Sequence, residues 1–158
     1  MLPEGAPFLL FELEMKFKAE VEIEKPLGLL VDLIQDPDCT LQWLEGLISV
    51  KHVSGEFRQP GAVSDVVFES AAGRMQIKET VLRNELPEYY MIRYDGQGYV
   101  SFSNYSFEVL SDSRTKFTMK QEVELKGALK LAGGLVRPKV RKQLKRSAES
   151  FKSFAEAQ

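Results

Sequence analysis

Phe11-Glu-Leu-Glu-Met-Lys-Phe-Lys-Ala-Glu-Val-Glu-Ile23 alternates without a break. Every odd position from Phe11 to Ile23 is apolar, and every even position from Glu12 to Glu22 is charged. A period of two predicts a strand with one dry face and one wet face. So clean an alternation belongs to an antiparallel sheet covered on one side only. At about 3.3 Å per residue the strand exceeds ~40 Å, long enough to bend around whatever it covers.

Outward from this strand, Lys25-Pro26 ends the alternation, and Pro26 suits the first turn of a helix. Leu29, Leu30, Leu33 and Ile34 follow at helical spacing. Asp36-Pro37-Asp38 breaks that helix and starts a second, through Leu41, Trp43 and Leu44, which stops near Gly46. Six short strands are then predicted, at 48–53, 62–69, 74–83, 89–94, 99–110 and 116–125. Between them lie the loop Phe57-Arg-Gln-Pro-Gly61, a turn at Ala72-Gly73, Asn84-Glu-Leu-Pro87, the hairpin turn Asp95-Gly-Gln-Gly98 and a polar turn at Ser111-Asp-Ser113. The connections are short enough for antiparallel neighbours.

The last segment, from about Leu129 to Ala157, is predicted helical. Val136, Val140, Leu144, Ala148, Phe151 and Ala155 form one apolar stripe along it. Gly133, Gly134 and Pro138 predict kinked or separate first turns. The expected architecture is α+β. An antiparallel sheet has one apolar face, and only the long helix is extensive enough to cover it.

At 158 residues the chain is the size of one domain. Its net charge of −2 gives no global reason to expect nucleic acid or an anionic membrane as main partner. Cys39 is the only cysteine, which rules out an internal disulfide and fits a reducing compartment. The N-terminal Met1-Leu-Pro-Glu-Gly-Ala-Pro lacks the basic start and long apolar run of a signal peptide. No stretch approaches the roughly 20 apolar residues of a bilayer span. A soluble, cytoplasmic protein is expected.

Several short motifs fall in a recognisable order. They are Val21-Glu-Ile-Glu-Lys-Pro26, Trp43 after the second helix, Gln59-Pro-Gly61, Glu79-Thr-Val-Leu-Arg-Asn-Glu-Leu-Pro87, Asp112-Ser-Arg-Thr115 and Phe151-Lys-Ser-Phe154. Together they resemble the helix-grip superfamily. This group holds START domains, birch-pollen-allergen-type proteins, and the polyketide cyclase/dehydrase and lipid-transport proteins (SRPBCC), the last being the most similar. The resemblance implies a single domain over 8–158, with a curved seven-stranded antiparallel sheet, two short helices after the first strand and a long C-terminal helix over the sheet. It also implies a cavity between sheet and helix for lipids, sterols, polyketides or quinones. Some members are enzymes and some are co-chaperones, so the fold does not choose a function.

The residue inventory excludes several chemistries. His52 and Cys39 are single and far apart, which excludes a His/Cys zinc site and a two-histidine iron site. No nucleophile elbow lies near His52, which is read as a surface or hairpin residue. Gly96-Gln-Gly98 is a hairpin turn and not a phosphate cradle. Neither cofactor nor metal is expected.

The informative positions are polar residues on otherwise apolar strand faces. Glu79 falls among Met75, Ile77 and Val81, and Gln121 among Phe117, Met119, Val123 and Leu125; Ser101, Ser103 and Tyr105 share a face with Phe107. A buried polar group needs a partner. If buried, Glu79 has a raised pKa and is the candidate acid/base group; near the open end of the sheet it is half solvated and an ordinary surface carboxylate. The expected ligand-binding strand residues are Phe17, Phe68, Met75, Ile77, Glu79, Tyr94, Tyr105, Phe107, Met119 and Gln121. Trp43 joins them from the second short helix, and Val136, Val140 and Leu144 from the long helix. The entrance is expected between the end of the long helix, the two short helices near Trp43 and the loop Phe57–Gly61.

Binding or transport of a small hydrophobic ligand is the favoured function, because no constellation of reactive residues stands out. A cyclase, dehydratase or hydrolase using Glu79 is the alternative, and a co-chaperone-like interaction domain a further one. The basic residues Arg137, Lys139, Arg141, Lys142, Lys145 and Arg146 read first as a solvated helix face, with weak contact to an anionic membrane as the alternative. Nucleic acid is not expected, since exposed aromatics do not interleave the basic run. Oligomeric state is not legible.

Overall fold

The computed structural model describes residues 14–71 and 73–158. The start of the predicted first strand at Phe11, the domain start at residue 8 and Ala72 lie outside the described residues. Seven strands are present: β1 (Glu14–Ile23), β2 (Leu47–Ser54), β3 (Val63–Ser70), β4 (Gly73–Glu85), β5 (Tyr89–Gly96), β6 (Tyr99–Ser111) and β7 (Arg114–Leu125). Three α-helices accompany them: α1 (Leu27–Gln35), α2 (Pro37–Trp43) and α3 (Gly133–Glu156).

All seven strands form one antiparallel sheet in the order β1-β7-β6-β5-β4-β3-β2. Consecutive strands are neighbours, except that β1 closes against β7 while α1 and α2 bridge to β2 at the far edge. The alternation of β1 does what its period demands: Met15, Phe17 and Ile23 are buried, while Glu14, Lys16, Lys18 and Glu20 are exposed.

Local chemistry sets the helix boundaries. Pro26 stands in extended conformation just before α1. The Asp36 carboxylate accepts from the Asp38 backbone N–H at 2.9 Å and caps α2, with Pro37 in its first turn. The predicted C-terminal helix divides, in keeping with its glycines: a 3-10 turn at Gly127–Ala132 precedes α3.

The core fills the space between the concave sheet face and α3, which turns Leu144, Ala148, Phe151 and Ala155 inward. Its densest part is aromatic. Phe151 lies 4.6 Å from the Phe117 ring and 4.9 Å from Trp43, and Phe107 stacks on Phe117 at 5.0 Å. Trp43 also meets Tyr105 edge-on at 6.1 Å. Such contacts add to the burial energy of large rings.

Candidate ligand cavity

The strand register lines up concave-face residues in rows across the sheet. One row runs Glu79, Tyr94, Ser101, Val123, Met15; the next runs Val81, Ile92, Ser103, Gln121, Phe17; a third runs Tyr90, Tyr105, Met119, Ala19. Beyond them Phe107 faces Phe117 and Val21. Along β6 the concave face therefore changes from serine to aromatic. Ser101 and Ser103 leave space, and Tyr105 and Phe107 fill it.

That space is a cavity of about 160 Å³. Its floor is Ile77, Tyr94, Ser101, Ser103, Tyr105, Met119 and Gln121. Its roof is Gln143, Leu144 and Ser147 of α3, with Leu44, Phe68 and Tyr99 closing the sides. It meets solvent at Glu69, Ser70, Met75 and Gln143, all exposed. The wall is mostly apolar, and its polar groups converge. The Gln121 side-chain amide donates to Ser101 Oγ at 3.0 Å, beside Ser103 and the hydroxyls of Tyr94 and Tyr105. Burial pushes both tyrosine hydroxyls above their ordinary pKa, so they are neutral donors at physiological pH.

Behind this wall lies a second polar cluster. Glu79 is 8% exposed and stands opposite Tyr94 on the neighbouring strand, where it acts electrostatically on the Tyr94 and Tyr105 hydroxyls. Burial raises the Glu79 pKa, and the Arg58 charge and the Tyr94 hydroxyl offset this only in part. Arg58 is held in place by its loop. The Gly61 N–H donates to the Val81 carbonyl at 2.8 Å, and Asn84 Nδ2 donates to the Arg58 carbonyl at 2.9 Å. The Arg58 side chain crosses to Tyr90, donating from Nη1 to the hydroxyl at 2.7 Å. Its backbone has φ 63°, a conformation side-chain-bearing residues rarely adopt.

Of the predicted binding residues, Phe68, Met75, Ile77, Tyr94, Tyr105, Met119, Gln121 and Leu144 line this cavity. Six do not. Phe17, Phe107 and Trp43 are packed into the core; for the two strand residues, parity alone cannot separate a filled row from an open one. Glu79 faces inward but stands behind Tyr94. Val136 and Val140 are half-buried and off the wall, because α3 is buried only from Leu144 onward. The entrance also differs from expectation. The loop Phe57–Gly61 contributes nothing to the wall, and Trp43 plugs its own end; the opening lies at the opposite end of β3.

Sequence reasoning missed Arg58, Gln143 and Ser147. A loop arginine carries no periodic signal. Ser147 interrupts no pattern; only its position three residues after Leu144 places it on the inner face.

No family model and no curated protein sequence matches the chain. Solved structures do. The protein TTHA0849 from Thermus thermophilus is 19% identical with a TM-score of 0.70, over 90% of this chain and 95% of that one. Ara h 8.0201 is 15% identical with a TM-score of 0.71, over 92% and 99%. The Zhui aromatase/cyclase from Streptomyces sp. R1128 is 10% identical with a TM-score of 0.73, over 91% and 92%. The chain has the helix-grip fold. At these identities the likeness is one of fold, and the cavity must be interpreted from its own residues.

Proposed function

We propose that this helix-grip protein binds a small, largely apolar molecule carrying a hydroxyl or carbonyl group, in the cavity under α3. The observation that carries the reading is the convergence of Ser101, Ser103, Gln121, Tyr94 and Tyr105 on the floor of a cavity whose exposed wall is mostly apolar. Pockets for small organic ligands have this composition, an apolar body with a few placed polar groups. The volume limits the size. About 160 Å³ is close to the ~150 Å³ of an engineered cavity that takes up benzene. It is below the ~300 Å³ at which drug-sized pockets begin. A single ring fits, or the ring portion of a quinone or polyketide-like molecule whose remainder leaves through the opening at Met75 and Gln143. Transport of such a molecule needs nothing more than this cavity and its opening.

One observation favours a catalytic second reading. Glu79 is buried, has a raised pKa and stands opposite Tyr94 of the cavity floor. Because Tyr94 stands between them, Glu79 would exchange a proton with a ligand by way of the Tyr94 hydroxyl. The aromatase/cyclase name of Zhui belongs to that protein and supports this reading only by analogy.

Native mass spectrometry of freshly purified protein, followed by NMR titration with phenol as a single-ring probe, tests the binding reading. Copurified organic mass, or phenol-induced shifts confined to the Ser101, Ser103 and Gln121 region, is the expected result. Absence of both would remove it. Turnover of a bound ligand that is lost in Glu79→Gln while binding persists would favour catalysis.

A further inference from the structure

The segment that leads into α3 is unlike the rest of the surface. Leu131 is 94% exposed and Leu135 is 74% exposed, more than any other large apolar side chain among the described residues. The segment is nevertheless anchored. The Lys126 N–H donates to the Gly98 carbonyl at 2.7 Å, and Leu129 packs so closely on Gly98 that a Cβ there would lie 2.6 Å from Leu129 Cδ1. Leu129 thus holds the 3-10 turn against the β5–β6 hairpin, while Leu131 and Leu135 project into solvent.

Helical spacing extends the line from Leu135. Leu135, Lys139, Lys142 and Arg146 succeed one another at intervals of four, three and four, opposite the buried Leu144 and Phe151, and Leu131 stands in the 3-10 turn just ahead of them. From Lys126 to Arg146 every charged residue is basic, in a chain whose net charge is −2. On the outer sheet face most cations are matched, Lys16 with Glu122, Lys18 with Glu20, Arg114 with Glu22 and Lys116 with Glu108, while Lys78 and Lys120 have no carboxylate partner among the described residues. On α3, Arg146 meets Glu45 at 3.3 Å, but Lys139 and Lys142 have no carboxylate partner among the described residues.

We propose that the segment Gly127–Arg146 docks on an anionic phospholipid bilayer surface, with Leu131 and Leu135 entering the headgroup region and Lys139 and Lys142 meeting lipid phosphates. Stable peripheral binding takes two signals, an apolar insertion and a polybasic flank, and this segment has both. An acidic protein partner fits less well. Two isolated leucines with no aromatic beside them are a small fraction of the roughly 800 Å² that each side of a stable protein interface buries. The contact is peripheral, since no helix among the described residues is long and apolar enough to cross a membrane.

The docking stripe ends at the cavity. Lys139, Lys142, Gln143 and Arg146 share a groove with Glu69 and Ser70, the residues that rim the opening. A protein held by this stripe presents its opening to the lipid surface, so an apolar ligand passes between bilayer and cavity without crossing open water. That consequence rests on the binding function proposed above; the docking does not.

Co-sedimentation with extruded vesicles tests the docking on the full chain. The two compositions are phosphatidylcholine alone and phosphatidylcholine with about 30% phosphatidylglycerol, each at low and at high salt. The wild-type protein is expected to pellet with the anionic vesicles only, and less as salt rises. Each charge near the surface contributes roughly fivefold in affinity, so Lys139→Glu/Lys142→Glu should weaken binding more than ~20-fold. Leu131→Asp/Leu135→Asp should abolish it. Both pairs are exposed, and an unchanged circular dichroism melt confirms that the fold is kept. Wild-type binding to neither vesicle, or equal binding to both, overturns the proposal. So does retention on immobilised polyglutamate without retention on anionic vesicles, which would assign the stripe to an acidic polypeptide. Phenol titration of the same variants without vesicles reports on the cavity separately, so the two proposals fail independently.

Discussion

The two ends of the space beneath α3 are built on the same strands and differ in one respect. Toward Trp43, the concave faces of β6 and β7 carry Tyr105, Phe107 and Phe117, and α3 brings Phe151 down among them. Toward Met75, the same faces carry Ser101, Ser103 and Gln121, and α3 brings Leu144 and Ser147. Along β6 and β7 period and register are identical through both halves, from Ser101 opposite Val123 to Phe107 opposite Phe117. Side-chain volume alone decides that one half is core and the other cavity, since protein interiors close up wherever they hold enough volume to do so. The packed end supplies the stability that lets the other end stay open.

The packed end offers the largest test of that division. Phe151 is fully buried and touches Trp43, Phe107 and Phe117. Phe151→Ala should cost ~3–5 kcal/mol in urea denaturation. A loss under about 1 kcal/mol would show that the aromatic cluster collapses freely, and the contrast between the two ends would disappear.

The open end should respond in the opposite way. Ser103 is buried, small and part of the cavity floor. Ser103→Phe places a ring in space already present, so stability should stay within ~1 kcal/mol of wild type while phenol binding is lost. Destabilisation like that of an overpacked core, ~1–3 kcal/mol, would mean that the cavity closes in solution.

Much of this division is legible in the sequence, and the reason is physical. Strand parity holds wherever a ladder runs without a bulge, and the stretches around Glu79, Gln121, Tyr105 and Ser103 are unshifted, so these residues fall on the inner face from alternation alone. The turn at Asp95-Gly-Gln-Gly98 and the breaker at Asp36-Pro37 likewise carry their own backbone preferences. Depth along the helix axis has no such rule. Parity predicts Phe17 and Phe107 in the cavity wall because they face inward, and only packing shows that the space above them is full. Arg58 is invisible for a different reason. It sits in a loop, reaches Tyr90 across 32 residues of sequence, and owes its position to the hydrogen bonds of Gly61 and Asn84.

The smallest expected effect concerns Glu79, which pairs with Tyr94 in the same row as Ser101 at the open end. Burial is the largest influence on its carboxyl and raises the pKa above the ordinary 4.5; Arg58 and Tyr94 pull it back without restoring it. The folded protein therefore holds this proton to higher pH than the unfolded chain does. Below 4.5 both forms are protonated, and the stabilising difference is fully present. As pH rises the unfolded chain ionises first, and the difference is lost until the pH passes the folded value. Glu79→Gln keeps the size and a carbonyl acceptor for Tyr94 but cannot ionise. Urea midpoints measured at about pH 4 and about pH 8 should therefore show the variant gaining on wild type as pH rises. The opposite sign would make Glu79 and Arg58 a net stabilising ion pair. The polar cluster would then serve stability, as the packed end does, and the Tyr94 route from Glu79 to the cavity would lose its physical basis.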